Sequence, residues 1–321
     1  MKRRNFLGLS AALGASAVLP NSLLAKEKFE MWGMPAIPNV ILAVAAIRGE
    51  LAKNYDVSLK IWRTPDQMRA GVANGTMKLT AAPSNVCANL NAQGLDFKML
   101  NIMTNGLLNV LAKSDKIKTF EDLVGKKLVM PFKNDMPDLI MQAICKKRGI
   151  DIAKLNITYV QTPPEAVGLF LQKNFDASLS IEPMSTASIL RGKTMGVEVF
   201  RAFELPVIWG ESFGTKPFIP QAGMIVQSEF YEQNKQNLEI LHTDMQNALK
   251  WILDNKQSAA EIGANYLPAP VPALANAFER SNLVVTKASD VADELSAFFE
   301  VIYALNPKFL GGAMPDRKLF L

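Results

Sequence analysis

The sequence predicts an α/β fold built from two bodies, each a mostly parallel sheet covered by helices. Strand-like and helix-like runs alternate through the first hundred residues, in the order expected for such a sheet. A second series of alternating runs begins near residue 130. Of the 321 residues, 49% are apolar, which is enough to fill large cores, and 18 prolines and 19 glycines separate the runs. Fibrous and disordered classes are therefore excluded.

The first 25 residues are interpreted as an export signal. Lys2, Arg3 and Arg4 precede a weakly apolar stretch at 6–19, and small residues follow up to Ala25. Residues 2–7 resemble a twin-arginine signal; an ordinary secretory signal is the alternative. The apolar stretch is too short to be a good membrane span, and no cysteine follows it to carry a lipid. We therefore expect a periplasmic protein that is not a lipoprotein.

Charge and cysteine content narrow the class further. The net charge of +5 falls to +2 once the three basic residues of the leader are left out, which is too mild for nucleic-acid binding. Cys87 and Cys145 each lie in a helical pattern among apolar neighbours. We predict buried free thiols rather than a disulfide, even in an oxidising compartment.

The elements of the first body follow from local patterns. Proline and glycine make residues 33–38 a loop, and Val40, Val44, Ile47 and Leu51 recur at helical spacing. The predicted order is strand 29–32, helix from 39, strand 55–62, helix 65–74, strand 78–82 and helix 83–94. This order predicts strand ends followed directly by helix starts.

The next segment crosses from the first body to the second. A strand-like run at 107–112 ends on charge, and Thr119 is predicted to cap a short helix by accepting from the Asp122 N–H. The second body then comprises strand 127–130, a helix capped by Asp135, strand 157–160, a helix from Thr162, strand 177–181 and a helix from 182. Residues 223–226 are interpreted as the return crossing. Amphipathic helices at 238–253, 258–266, 271–281 and 289–305 are expected to pack on the first body.

Two segments carry a family resemblance. Residues 114–127, SDKIKTFEDLVGKK, and Asn174-Phe175-Asp176-Ala177 with Glu182-Pro183 resemble segments of periplasmic solute-binding proteins of the nitrate/taurine/sulfonate and thiamine-precursor type. The resemblance covers about residues 29–235 and departs at Lys78, where the family usually has aspartate. It implies a two-lobed type II periplasmic-binding-protein fold on a two-strand hinge. Lobe one would comprise 26–112 plus 224–321, and lobe two 113–223.

The resemblance also implies a function. The two lobes would close over a small molecule and deliver it to the permease and ATPase subunits of an ABC transporter in the inner membrane. We expect a monomer that needs no cofactor. A sensor subunit that presents its ligand to a receptor kinase is the alternative, because it would have the same fold.

Candidate ligand-binding residues lie at the strand-to-helix junctions, because ligands of open α/β sheets bind at the carboxyl ends of strands. These candidates are Trp32, Met34, Pro35, Ser84, Asn85 and Asn105 in lobe one, and Phe132, Asp135, Thr162, Glu182, Met184 and Trp209, a lid residue, in lobe two. A purely structural role is the alternative for several of them, since Ser84, Asn85 and Asp135 can also serve as helix caps. Trp62 and Trp251 are assigned to packing or to the surface.

The charge of the ligand is predicted from the helix starts. Asp135, Asp138, Glu165 and Glu182 occupy the positive helix ends of lobe two and would repel an anion. Aromatic and methionine side chains in the same loops suit a nitrogenous or aromatic ligand, such as a thiamine pyrimidine precursor. Lys133 and Arg63 favour the alternative of nitrate, taurine or an alkanesulfonate.

Catalytic residues are not evident. The single histidine, His242, falls in the predicted helix 238–253, where we expect it to be exposed and away from the cleft. The sequence has no Ser-His-Asp or Cys-His set, no cysteine and histidine spacing typical of a metal site, no P-loop and no G-x-G-x-x-G. A binding protein rather than an enzyme is therefore predicted.

Overall fold

The computed structural model describes residues 26–321, and its strands form two separate sheets with helices packed against them. The predicted signal at 1–25 lies outside the described residues. The strands are β1 (Glu27–Gly33), β2 (Tyr55–Ile61), β3 (Leu79–Pro83), β4 (Phe97–Met99), β5 (Asn101–Thr104), β6 (Leu108–Ala112), β7 (Leu128–Pro131), β8 (Ile157–Val160), β9 (Ala177–Ile181), β10 (Phe200–Glu204), β11 (Ala222–Gln227) and β12 (Leu283–Lys287). The predicted α/β class is confirmed.

The helices alternate with the strands in the first two thirds of the chain and follow one another in the last third. They are α1 (Asn39–Arg48), α2 (Leu51–Asn54), α3 (Pro65–Ala73), α4 (Ser84–Ala92), α5 (Met136–Arg148), α6 (Pro163–Gln172), α7 (Met184–Thr194), α8 (Leu205–Phe213), α9 (Ser228–Asp254), α10 (Lys256–Gly263), α11 (Val271–Ala277) and α12 (Ala292–Leu305). Among residues 26–321, none of these helices has the length and apolarity needed to cross a membrane.

Both sheets are mixed rather than mostly parallel. The first sheet has the order β12-β5-β11-β3-β1-β2, with β4 paired to β11, and the second has the order β10-β6-β9-β7-β8. β1 is parallel to β2 and β3, and β7 is parallel to β8 and β9. β6 and β11, the first strand after each crossing, run antiparallel to their neighbours. The parallel strands that end beside the cleft are therefore β1, β2, β3, β7, β8 and β9.

The two crossings lie side by side. The chain leaves the first sheet after Thr104 and enters the second at Leu108, so residues 108–112, which the sequence placed in lobe one, pair within the second sheet. On the return, the Ile219 N–H donates to the Asn105 carbonyl at 2.9 Å. The Leu107 N–H donates to Oε1 of Gln221 at 3.1 Å. These bonds join the outward and return segments into one connection between the lobes.

Two predicted helix starts have different outcomes. At α6 the hydroxyl of Thr162 accepts from the Glu165 N–H, and the Glu165 carboxylate accepts from the Gln161 N–H at 3.0 Å, which confirms the predicted cap. At the short 3₁₀ turn Glu121–Leu123 the predicted roles are reversed. Here the Asp122 carboxylate accepts from the Thr119 N–H at 2.8 Å, because a carboxylate at this position reaches back to the preceding turn.

The C-terminal helices contact both lobes, which corrects the expectation that they pack on the first body alone. α9 and α10 pack on α1, whereas α11 packs on α7 and α12 packs on α5. Lys146 donates from Nζ to the carbonyl of Ala304 at 2.6 Å, and the rings of Trp209 and Phe298 lie 5.3 Å apart. The last third of the chain therefore connects the lobes as well as completing lobe one.

His242 is buried, and the prediction that it is exposed was wrong. It lies on the same face of α9 as Leu238, Leu241 and Met245, and Nδ2 of Asn101 lies 3.4 Å from its Nδ1. Its helix packs against the first sheet through this face, which places the imidazole in the core. Cys87 and Cys145 are buried free thiols, as predicted.

Candidate ligand-binding site

A cavity of about 60 Å³, named here the inner chamber, lies between the two lobes where the parallel strands end. Among the residues described, its wall in lobe one and at the crossings comprises Met34, Pro35, Ala36, Trp62, Pro65, Met68, Pro83, Leu107, Gln221 and Ala222. Its wall in lobe two comprises Phe132, Asp135, Met136, Pro137, Pro163 and Ile181. Asp135 and Gln221 are polar and the other lining side chains are apolar. The chamber therefore suits an uncharged group.

The backbone after β7 presents two of these side chains to the chamber. Phe132 and Asn134 have φ values of 64° and 60°, in the left-handed region that residues other than glycine rarely adopt. The Phe132 N–H donates to the Val160 carbonyl at 3.1 Å, and the Asp135 N–H donates to the Phe132 carbonyl. This tight turn places Phe132 and Asp135 at the start of α5, where strain of the order of 1–3 kcal/mol per residue is held by the surrounding bonds.

A larger cavity of about 600 Å³, named here the outer chamber, adjoins the inner one. Pro35 and Pro163 line both chambers, so the two are contiguous. The remaining wall comprises Ile61, Arg63, Thr162, Pro164, Pro183, Met184 and residues 264–268. Within this lining, Arg63 is the single charged residue.

Asp135 bridges the lobes. It stands at the position before α5 but makes no capping bond with its side chain, which corrects its predicted role as a cap. Its carboxylate instead forms an ion pair with the guanidinium of Arg69 on α3, in the other lobe. Burial raises the pKa of the Asp135 carboxyl, and the Arg69 charge opposes this rise. The pair closes the cleft beside the inner chamber.

Glu182 is fully buried and lines neither chamber. Its carboxylate accepts from Nη2 of Arg201 at 2.6 Å and from the Thr186 N–H at 3.2 Å. Burial raises the pKa of this carboxyl, and Arg201 opposes the rise. The ligand contact predicted for Glu182 stays a prediction, since the cation beside its carboxylate in this structure is Arg201. Its main-chain carbonyl accepts from the Ile37 N–H at 3.3 Å, which is a second polar contact between the lobes.

Half of the predicted candidates line the chambers. The inner chamber contains Met34, Pro35, Phe132 and Asp135, and the outer chamber contains Pro35, Thr162 and Met184. Ser84 and Asn85 are buried beside Pro83 but outside both linings, and Asn105 lies in the crossing segment. The ligand contacts of these residues stay predictions.

The two tryptophans predicted to contact ligand lie elsewhere. Trp32 is still within β1, and its Nε1 donates to the Glu30 carboxylate at 2.9 Å on a face that Lys60 also covers. Trp209 is 3% exposed and packs in α8 with its ring 4.3 Å from that of Phe213. It is a core residue in this structure rather than a lid.

Sequence reasoning missed three parts of the site. Trp62, assigned to packing or to the surface, lines the inner chamber while its Nε1 donates to the Ala81 carbonyl at 2.9 Å. It directly follows β2, so the strand-end rule applied equally would have found it. Gln221 and the loop 264–268 follow no predicted strand end, and the local pattern carries no signal for them.

Within residues 26–321, no group of three His, Cys, Asp or Glu side chains is placed to hold a metal ion.

Two α/β lobes joined by adjacent crossings, with a cavity between their strand ends, define the class of two-lobed solute-binding proteins. The model of the NMT1/THI5-like family matches residues 52–259, more than half of the chain, and the chain belongs to this family. No curated protein matches the chain in sequence.

Solved structures show the same fold at low sequence identity. An ABC transporter protein from Parabacteroides distasonis matches with a TM-score of 0.73 and 15% identity, over 91% of this chain and 97% of that chain. The periplasmic aliphatic sulphonate binding protein SsuA from Escherichia coli matches with a TM-score of 0.72 and 17% identity, over 92% and 97%. The periplasmic nitrate-binding protein NrtA from Synechocystis PCC 6803 matches with 0.59 and 14%, over 77% and 69%. By name, these three neighbours are one ABC transporter and two periplasmic binding proteins.

Proposed function

We propose that this protein is the substrate-binding component of an ABC importer and captures a small molecule between its lobes without chemical change. The observation that carries this proposal is the inter-lobe cavity, whose wall is built from strand ends of both sheets. Family membership and the transport proteins among the structural neighbours support it. The location would be the periplasm after export of the leader, and the partners would be the permease and ATPase subunits. Presentation of the ligand to a sensor stays the alternative.

The cross-lobe contacts beside the cleft suit reversible closure. They include the Arg69–Asp135 ion pair and the hydrogen bond from Ile37 to Glu182. Partly exposed ion pairs contribute about 0–1 kcal/mol, so such contacts can break without a large cost. A ligand that covers the apolar wall would add about 25 cal/mol per Å² of apolar surface removed from water. Ligand binding therefore shifts the balance towards the closed form.

For the ligand, we favour a nitrogenous or aromatic molecule such as a thiamine pyrimidine precursor. Trp62 and Phe132 offer flat surfaces, and three methionines offer polarizable ones. The charged side chain of the inner chamber is a carboxylate, and a bare oxyanion there would find few hydrogen-bond donors among the described lining residues. The SsuA neighbour and Arg63 are the specific observations that favour an alkanesulfonate as the second candidate.

A thermal-shift screen of nitrogenous heterocycles, amines, alkanesulfonates and nitrate tests the proposal. At a ligand concentration of a hundred times Kd, mass action stabilises the folded chain by about 2.7 kcal/mol. Such a stabilisation corresponds to a rise in Tm of about 5–10 °C for a chain of this size.

The variant Trp62→Phe should reduce the shift, because it keeps much of the packing but loses aromatic area in the inner chamber. Trp251→Phe is the matched control, since Trp251 lies under Arg48 outside both chambers. No shift with any class of compound would contradict the binding function. Stabilisation by sulfonates alone would overturn the preferred ligand class.

A further inference from the structure

The two contiguous chambers differ in size and chemistry. The inner chamber holds about 60 Å³ and the outer one about 600 Å³, and Pro35 and Pro163 form the rim between them. Since one water-sized group needs about 10–15 Å³ on this measure, the inner chamber has room for roughly four to six non-hydrogen atoms. A ligand larger than this would extend past the two prolines towards the outer chamber.

The outer chamber carries a cation without a carboxylate partner among residues 26–321. Arg63 is exposed, and its bond to Gln67 is made by its main-chain N–H. By contrast, the guanidinium groups of Arg69, Arg148 and Arg201 are each paired with a carboxylate. Glu165 and Glu182 adjoin the lobe-two wall in sequence but do not line the chamber, and their carboxylates accept from the Gln161 N–H and from Arg201. The charged side chain in the wall of the outer chamber is therefore the cation Arg63, whereas the inner wall is apolar except for Gln221 and the Asp135 carboxylate.

Resting on the proposed function, we propose that the substrate is an elongated molecule with a small uncharged apolar end in the inner chamber and an anionic group beside Arg63 in the outer chamber. A sulfonate, carboxylate or phosphate would meet the guanidinium there, with Tyr266 and Asn265 as further polar neighbours in the same wall. A bare inorganic anion lacks the apolar end, and a neutral alcohol lacks the charged one. The chambers thus select for both ends of one molecule.

Matched pairs of compounds, one neutral and one anionic, test whether the two chambers bind the two ends of one molecule. The pairs are butan-1-ol with butane-1-sulfonate, benzyl alcohol with phenylacetate, and pentan-1-ol with pentyl phosphate, so that each neutral end has about four to six non-hydrogen atoms for the inner chamber. Titration calorimetry would measure Kd for each compound with the full mature chain. In each pair the anionic member should bind about tenfold tighter, as expected for one charge-assisted contact.

Arg63→Gln should reduce that advantage to less than about threefold. Arg48→Gln is the matched control, because Arg48 stacks on Trp251 outside both chambers and its removal should leave the advantage intact. Equal affinity of the neutral and anionic members, or an equal anionic advantage in the Arg63→Gln and Arg48→Gln variants, would overturn the proposal. Neither result would contradict the proposed binding function. If neither these compounds nor those of the thermal-shift screen bind, the proposed function fails with it.

Discussion

Arg201→Met would remove one partner of the buried ion pair with Glu182. The Glu182 side chain is fully buried and that of Arg201 is 13% exposed, so the pair lies almost wholly out of water. Removal of one partner of a buried pair costs about 3–5 kcal/mol, because the remaining charge is left uncompensated. At about 2–4 °C per kcal/mol for large domains, Tm should fall by at least about 6 °C.

The pH dependence of this variant should identify the cause. Burial raises the pKa of Glu182, and without Arg201 the folded state should hold the Glu182 proton more tightly still. The folded state then binds more protons than the unfolded one, so the variant should lose stability as pH rises above the normal carboxyl range. The double variant Glu182→Gln with Arg201→Met should be more stable than Arg201→Met alone, since no buried charge remains.

Thermal unfolding at several pH values is the assay, and Arg280→Met is the control, because Arg280 is exposed and has no carboxylate partner within the described residues. An unchanged Tm for Arg201→Met, with affinity for the best ligand lost, would refute the reasoning. That result would return Glu182 to the ligand site predicted from sequence.

Three further predictions concern single residues. Arg69→Gln should speed ligand release by up to about fivefold at low salt and less at high salt, because the pair with Asp135 is partly exposed. Stopped-flow kinetics would measure the release rate, with Arg317→Gln as the control, because its pair with Asp293 lies outside the cleft. A release rate that does not depend on salt would contradict this prediction. Burial, together with the Lys287 charge, lowers the pKa of His242, so the unfolded state binds more protons below pH 6.5 and stability should fall as pH drops from about 6.5. Urea unfolding midpoints measured at several pH values should show this loss in the wild type and not in His242→Asn. An equal dependence of the midpoint on pH in the two proteins would contradict the assignment of this effect to His242. Burial raises the pKa of Cys145 to about 12 and also raises the pKa of Cys87. Neither thiol should therefore react with iodoacetamide at pH 8 until urea unfolds the chain, and rapid labelling of the native protein would contradict this.

Local patterns predicted the part of the site that follows from strand ends. Phe132, Asp135 and Thr162 were found because each lies between a strand and a helix start that turn and cap residues mark. Trp32 shows the limit of this rule. Trp32 is the last residue of the predicted strand 29–32, and the strand-end rule alone placed it beside the cleft. Side chains alternate between the two faces of a strand, and in β1 the residues on either side of it, Met31 and Gly33, are buried, whereas Trp32 lies on the opposite face beside Glu30 and Lys60.

Partners that are distant in the sequence could not be predicted. Arg69 and Asp135 are 66 residues apart, and their pairing depends on how the two lobes face each other. The loop 264–268 reaches the outer chamber because α10 packs on α1, which no local pattern shows. His242 was misplaced for a different reason, because the local pattern does include it. Leu238, Leu241, His242 and Met245 are spaced as i, i+3, i+4 and i+7, so the histidine lies on the apolar stripe of α9 that packs on the first sheet.

A crystal structure with the tightest ligand from the screen tests the central claim most directly, since it shows where the ligand lies relative to the two lobes. We predict a ligand enclosed between them, in contact with Trp62 of lobe one and Phe132 of lobe two, while Arg69 and Asp135 remain paired. A ligand bound to one lobe alone, or at a surface away from both chambers, would contradict the account.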